Sequence, residues 1–140
     1  TCRRSEVSGR RLWGWAANRF GTPQAFFARA FVLNYCPLVF LEESGRNFTP
    51  DKLPRAELSP LQAACDEHLR QALAALGPAW AIGVGGYARQ RIEAALAGMG
   101  AGAPRVAQIL HPSPASPVAN RGWEPAIEQQ LAELGVFSDR

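Results

Sequence analysis

The chain has 140 residues, of which 47% are hydrophobic, and a formal net charge of +3 at pH 7. That length suffices for one small domain with a hydrophobic core, and no run of about 18 apolar residues is present to span a bilayer. We expect no secretory signal in the polar and basic residues that open the sequence. Three widely spaced cysteines, Cys2, Cys36 and Cys65, argue against a disulfide framework, a zinc site or an iron–sulfur cluster, so we expect structural thiols.

Hydrophobic spacing and the placement of glycine and proline predict helices alternating with strands, which is typical of an α/β fold. Ser8 is expected to cap the first helix, Gly21 to end it, and Thr22 with Pro23 to open the second. The predicted helices are residues 8–19, 23–28, 59–76, 87–96 and 124–134, and the predicted strands are residues 31–34, 80–84 and 105–110.

The predicted strand at residues 105–110 delivers His111 to its carboxyl end. Three prolines then make the following loop stiff, and we expect no helix in it before Asn120. Ligands of open parallel α/β sheets bind outside the carboxyl ends of the strands, so His111 is a candidate for chemistry. A structural histidine is the alternative.

The predicted strand at residues 31–34 ends in a polar side chain in the same way, and Pro37 stops its ladder. The amide of Asn34 offers a donor pair and an acceptor, which complement the imide edge of a pyrimidine. A turn-forming asparagine is the alternative.

Two glycines, Gly85 and Gly86, follow the predicted strand at residues 80–84 and lead into a helix. The first backbone N–H groups of such a helix can hold a phosphate, although a simple tight turn explains the same spacing. The glycine pattern of a dinucleotide-binding site is incomplete here.

Five blocks of residues occur in a characteristic order. They are Ser-Glu-Val-Ser-Gly at 5–9 with Trp-Gly at 13–14, Phe-Val at 31–32 with Asn34 and Cys-Pro-Leu at 36–38, Ser-Gly-Arg-Asn at 44–47 with Thr-Pro at 49–50, Gly-Val-Gly at 83–85, and His-Pro-Ser-Pro at 111–114 with Ala-Asn at 119–120 and Gly-Trp-Glu at 122–124. Together they resemble the uracil-DNA glycosylase superfamily, and most closely its single-strand-selective monofunctional branch.

The resemblance implies a three-layer α/β fold around a parallel sheet of the uracil-DNA glycosylase type, here without its first strand. Residues 1–140 would be the C-terminal portion of one such domain. The implied reaction is hydrolysis of the N-glycosidic bond of uracil, and of 5-substituted uracils, in single- and double-stranded DNA. We expect no cofactor, metal or membrane, a monomer, and an intracellular place of action, either the nucleoid-associated cytoplasm of a bacterium or the nucleus of a eukaryote.

The same resemblance implies roles for individual residues. Asn34 would read the imide edge of a flipped-out uracil, and His111 would donate a hydrogen bond to O2 as negative charge develops on the departing base. The long irregular segment predicted between Phe40 and Pro60 would line the DNA groove, with a solvated surface loop as the alternative. The expected DNA-binding residues are Ser44, Gly45, Arg46, Asn47, Lys52, Gly85, Pro112, Ser113, Pro114, Ala115, Ser116, Asn120 and Arg121.

Two departures from the family pattern bear on activity. The family's Gly-Met-Asn-Pro-Gly-Pro type motif, whose asparagine positions the attacking water and whose neighbouring aromatic residue stacks on the base, does not occur in these 140 residues. Ala115 stands where close relatives tend to have a bulky or basic residue, which weakens a wedge and favours single-stranded over duplex DNA, with Arg121 as a partial compensation. Lys52 is the single lysine beside fourteen arginines, which favours a water-using enzyme over one that forms a Schiff base.

Two other interpretations remain open. A non-catalytic or incomplete DNA-binding fragment would keep backbone contacts through Arg46, Ser113 and Arg121. An unrelated small-molecule enzyme would use His111 as a general base and would need a carboxylate partner. Glu6 is the nearest acidic candidate for that partner, and its position favours a helix start instead.

Overall fold

The computed structural model describes residues 5–138, so Cys2 lies outside the described residues. No described helix is long and apolar enough to cross a bilayer. The elements in chain order are α1 (Val7–Phe20), α2 (Pro23–Phe27), a 3-10 turn (Pro50–Lys52), α3 (Arg55–Leu76), β1 (Trp80–Val84), α4 (Gly86–Leu96), β2 (Arg105–Ile109), α5 (Pro117–Asn120) and α6 (Trp123–Leu134).

Strands β1 and β2 are parallel and in register from the Trp80–Arg105 pair to the Val84–Ile109 pair, with α4 as the connection between them. The α/β class is therefore confirmed. Within residues 5–138 the sheet has these two strands, so β1 is paired on one side. Gly83 allows α4 to approach closely, because a Cβ at this position would lie 2.4 Å from the backbone nitrogen of Arg89.

The expected strand at residues 31–34 is wrong: this segment is irregular and joins no ladder in the described structure. Its apolar residues suit a strand, but a strand also requires a neighbouring backbone as hydrogen-bond partner, and sequence pattern does not supply one. Side chains hold the segment instead. Leu33 and Tyr35 pack against the core that α3, β1 and α4 share.

Two helix starts also differ from the sequence prediction. The α1 cap is Glu6 rather than Ser8, because the Glu6 carboxylate reaches back to accept hydrogen bonds from the Ser8 and Gly9 N–H groups. Helix α3 begins at Arg55, four residues before Ser59, and shortens the irregular segment to residues 40–54. Pro60 lies inside α3, where it removes one donor early in the helix.

The proline-rich loop contains the short helix α5, so the expectation of no helix before Asn120 is wrong. Pro117 occupies its first turn, where a proline's missing N–H costs nothing. Ser116 caps the helix, since its Oγ accepts a hydrogen bond from the Ala119 N–H at 3.3 Å.

Two hydrophobic cores lie on the two sides of the sheet region. The first, which we call the aromatic core, joins α1, α2, β2 and α6 through edge-to-face rings such as Trp15 against Phe26 and Trp123. The second, the α3–α4 core, consists of Leu69, Leu73, Ala81, Ile92 and Ala95. Both strands contribute to both cores: Ile109 and Ile82 contact the first, and Ala81 and Val106 contact the second.

Candidate functional site

His111 is held at the end of β2 by side chains from α6. The Leu110 N–H donates to Gln130 Oε1 at 2.9 Å, and the Leu110 carbonyl accepts from Trp123 Nε1 at 2.7 Å. Both backbone groups of Leu110 are thus satisfied by α6 rather than by another strand. The ladder ends there, and His111 leaves the sheet at a fixed point.

The hydrogen-bonding roles of the two His111 ring nitrogens are defined. Its Nδ1 accepts a hydrogen bond from the Ser113 N–H at 3.0 Å. In a neutral imidazole the other nitrogen then carries the proton, so Nε2–H is the donor that this side chain offers. The side chain is exposed, and the donor is available to a ligand.

Gly85 is packed against the His111 ring. A Cβ at residue 85 would lie 3.2 Å from both Cβ and Cδ2 of His111, and the Gly85 φ of +92° is in the region that favours glycine. The Gly85 N–H donates to the Ile109 carbonyl at 2.9 Å, so it is engaged in the sheet and is not free for a phosphate. The close approach of the His111 side chain explains why residue 85 is a glycine.

The loop after His111 is tied together and to α1. Its internal bonds run from the Ala115 N–H to Ser113 Oγ at 3.1 Å and from Asn120 Nδ2 to the Pro114 carbonyl at 2.8 Å. Arg11 is the external clamp: its guanidinium donates to the Pro112 carbonyl at 2.8 Å and to Asn120 Oδ1 at 2.8 Å.

Sequence reasoning missed Arg11 because it lies 101 positions before its partner and has no local signal. The expected DNA-binding residues of this loop differ in exposure. Pro112 is buried and the Ser116 hydroxyl caps α5, whereas Pro114, Ala115 and Arg121 are exposed.

Asn34 lies beside the same strand-to-helix turn as His111. It is exposed, while its neighbour Tyr35 packs its ring edge-to-face on Tyr87 with centroids 5.9 Å apart. Tyr87 is the second residue of α4, and Gly85 immediately before α4 touches His111. The Asn34 segment and the His111 ring therefore both contact residues at or next to the β1–α4 turn.

Residues 40–48 form a small hairpin rather than an open loop. Leu41 and Asn47 make an antiparallel bridge, and Gly45 turns the chain with a φ of +77°. Arg46 is highly exposed and pairs with Glu42 across 3.6 Å, while Lys52 lies 6.0 Å from the centre of the Phe48 ring. No hydrogen bond or ion pair between described residues joins this hairpin to the loop after His111.

Glu6, the candidate carboxylate partner of His111, is committed to structural hydrogen bonds. The pKa of Glu6 is lowered, chiefly because its carboxylate accepts the Gly9 N–H, with a smaller contribution from His111. The ring nitrogen of His111 that is engaged has a backbone N–H as its partner, not a carboxylate. This arrangement does not favour a general base with a carboxylate partner. Within residues 5–138, no group of three or more His, Cys, Asp or Glu side chains is placed to hold a metal ion.

Comparison with known proteins identifies relatives of similar sequence. No family model matches the chain. The single-strand selective monofunctional uracil-DNA glycosylase of Rattus norvegicus is 47% identical over 136 residues, which are 97% of this chain and 49% of the relative. The corresponding proteins of Mus musculus and Bos taurus are 47% and 45% identical over the same 97% of the chain, and 48% and 50% of their own lengths are matched.

Over almost its whole length, the chain is similar to single-strand selective monofunctional uracil-DNA glycosylases. The resemblance inferred from the five sequence blocks is confirmed. The chain spans about half the length of the curated relatives it matches. Gly85 contacts His111, and the segment that carries Asn34 contacts α4 immediately after the same turn, so these residues form the candidate site.

Proposed function

We propose that this chain takes part in DNA base-excision repair as a monofunctional glycosylase that hydrolyses the N-glycosidic bond of uracil. The observation that carries the proposal is the His111 imidazole, whose Nδ1 accepts the Ser113 N–H so that Nε2–H points away as a donor. A rigid donor aimed at a developing anion stabilises a transition state more than a ground state. The glycosylase relatives support the same chemistry.

The proposed mechanism has three steps, and Asn34 and His111 serve the second of them. The target nucleotide leaves the stack, at a cost of a few kcal/mol that is smallest in single-stranded DNA. The Asn34 amide then pairs with the N3–H and O4 of uracil, and His111 donates to O2 as the base departs with negative charge. Such a donor contributes about 3 to 4 kcal/mol. Water attacks the oxocarbenium-like sugar.

The proposed DNA contacts lie on two surfaces. The loop after His111 offers exposed Pro114, Ala115 and Arg121, and its clamp by Arg11 keeps it rigid. The 40–48 hairpin with Lys52 supplies the second surface through Arg46 and its polar neighbours. The small side chain of Ala115 makes a poor wedge, so we expect activity on duplex DNA to be lower than on single strands.

The proposal also covers the complete fold, the oligomeric state, the substrates and the place of action. The two parallel strands would be part of a three-layer α/β domain, of which residues 1–140 form the C-terminal portion. We propose a monomer that acts on uracil and 5-substituted uracils in single- and double-stranded DNA without a cofactor. Its place of action would be intracellular, at the nucleoid of a bacterium or in the nucleus of a eukaryote.

A second candidate function is that of a non-catalytic or incomplete DNA-binding fragment. Two observations favour it: the chain covers about half of its relatives, and no Asn-Pro-Gly-Pro sequence occurs in it. In that case Arg46, Ser113 and Arg121 would still contact the backbone, and binding would weaken steeply with salt.

A single-turnover excision assay on a uracil-containing single-stranded oligonucleotide tests both candidates. The set comprises this chain, its His111→Ala and His68→Ala variants, a version extended upstream in its own reading frame, and the full-length rat relative as a positive control. His68 is an exposed histidine on α3 and serves as the matched control. We expect His111→Ala to reduce uracil release by about 10²- to 10³-fold and His68→Ala to leave it unchanged.

The outcomes separate the two candidates. Release by this chain that depends on His111 supports the glycosylase. Salt-dependent binding without release by this chain, together with release by the extended version, supports the incomplete fragment. Equal release by wild type and His111→Ala contradicts the role proposed for His111.

A further inference from the structure

The Asn34 segment is held by side-chain anchors rather than by a strand ladder. Residues 33–36 lie against α3 and α4, and the burial alternates: Leu33 and Tyr35 pack on the α3–α4 core, whereas Asn34 is exposed. With no neighbouring strand to fix the backbone here, the position of the Asn34 amide depends on what holds the residues beside it.

Tyr35 has the strongest of these anchors. Its hydroxyl donates to Asp66 Oδ1 on α3 at 2.7 Å. Arg91 on α4 binds the same carboxylate through both oxygens, with Nη2 at 2.8 Å from Oδ2 and Nε at 3.2 Å from Oδ1. The Arg91 guanidinium also lies 6.0 Å from the centre of the Tyr35 ring, whose edge meets Tyr87.

The geometry of this network ties a loop residue to two helices at once. Asp66 and Arg91 are both less than a quarter exposed, so their pairing is shielded from solvent more than the other ion pairs of the described chain. A bidentate pair between arginine and a carboxylate is directional, and it holds the Asp66 oxygens in fixed positions. The Tyr35 hydroxyl thus meets an acceptor that cannot rotate away.

We infer that Tyr35, Asp66 and Arg91 are positioning residues for Asn34, and that they fix its amide at the β1–α4 turn to read the base edge. The inference rests on the proposed function for its consequence in base recognition. Tyr35 adjoins Asn34 and belongs to neither helix, so a network that only joined α3 to α4 would not need it. The Asp66–Arg91 pair already makes that junction.

Amide hydrogen exchange tests the anchoring without any requirement for activity. We compare wild type with Tyr35→Phe, which removes one hydroxyl, and with Asp66→Asn, which keeps the shape of the side chain. Glu93→Gln is the matched control, because it breaks the exposed Arg89–Glu93 pair on the same helix α4. We expect faster exchange at residues 33–36 in Tyr35→Phe and Asp66→Asn and unchanged exchange there in Glu93→Gln.

A double-mutant cycle on uracil excision then tests whether the network acts through Asn34. Tyr35→Phe is expected to raise the half-saturating concentration of a uracil-containing oligonucleotide roughly 2- to 10-fold, with a smaller effect on the maximal single-turnover rate, since base reading contributes to ground-state and transition-state binding alike. In an Asn34→Ala background the same substitution should have no further effect.

Each result bears on the inference. Unchanged exchange in Tyr35→Phe and Asp66→Asn overturns it, and so does a Tyr35→Phe effect that persists in full without Asn34, because the network would then act on the fold as a whole. If the wild-type chain releases no uracil, the proposed function fails, and exchange at residues 33–36 still decides whether the network anchors Asn34. Tyr35→Phe keeps the test valid even if Asp66→Asn, which leaves Arg91 without its charge partner, fails to fold.

Discussion

Replacing Gly85 by alanine perturbs the contact on which the His111 position depends. The residue has φ +92° and ψ 165°, a conformation that is essentially restricted to glycine. A new Cβ would also lie 3.2 Å from two atoms of the His111 side chain. Either the turn changes its backbone conformation or the imidazole moves away by a few tenths of an ångström.

Two terms set the magnitude of this effect. The backbone strain costs about 1 to 3 kcal/mol of folding free energy. For a chain of this size, that corresponds to a fall in Tm of roughly 3 to 5 °C for each kcal/mol. Complete loss of a donor to a developing anion costs about 10²- to 10³-fold in rate, so a displaced His111 should cost about tenfold in uracil release.

Gly98→Ala is the matched control for backbone strain. Gly98 has a φ of +86°, and a Cβ there meets nothing within 4 Å. Thermal unfolding and single-turnover excision are measured on both variants, together with the imidazole NMR resonances of His111. We expect both variants to lose stability, and only Gly85→Ala to shift the His111 resonances and to slow excision. Equal effects of the two variants on His111 and on excision would refute the reasoning.

Three further predictions concern the groups around the site. Arg11→Ala should lower the free energy of unfolding in urea by about 1 to 2 kcal/mol and should speed amide exchange in the loop after His111, because that loop loses charged hydrogen bonds. Exchange equal to wild type would show that Arg11 does not clamp the loop. The pKa of Glu6 is lowered from 4.5, chiefly by its bond to the Gly9 N–H, so the charged carboxylate stabilises the fold above that ordinary pKa and the contribution is lost as pH falls through the lowered value. The stability difference between wild type and Glu6→Gln should therefore vanish in acid, and a difference that persists there would contradict this. Burial, with a smaller contribution from Cys36, raises the pKa of the Cys65 thiol from 9.0 to about 11, so native Cys65 should resist alkylation at about pH 8, and rapid labelling would contradict this. The free energy of unfolding should also fall between pH 9 and 11, and Cys65→Ala should reduce that decline.

Elements with local signals were predictable from the sequence. The strand at 80–84 has the predicted bounds, because a short apolar run between proline and two glycines admits little else. Gly21 and Gly135 end α1 and α6 as expected, since both adopt positive φ where other residues are strained.

Features that depend on distant partners were not predictable. The Asn34 segment has the residues of a strand but lacks a neighbouring backbone, and its actual support by Asp66 comes from a helix 31 positions further along the chain. Arg11 gives no sign in its own helix that it clamps a remote loop. Pro117 shows the limit of a local rule, since the residue that stops one helix is well suited to begin another.

The most direct test of the account is the tautomer of His111, read from the nitrogen-15 shifts of its neutral imidazole. With two histidines in the chain, exposed His68 provides the internal reference. The account predicts that His111 Nδ1 is the unprotonated acceptor of the Ser113 N–H and that Nε2 carries the proton. A proton on Nδ1 would contradict it, because Nε2 would then have no hydrogen to donate to the departing base.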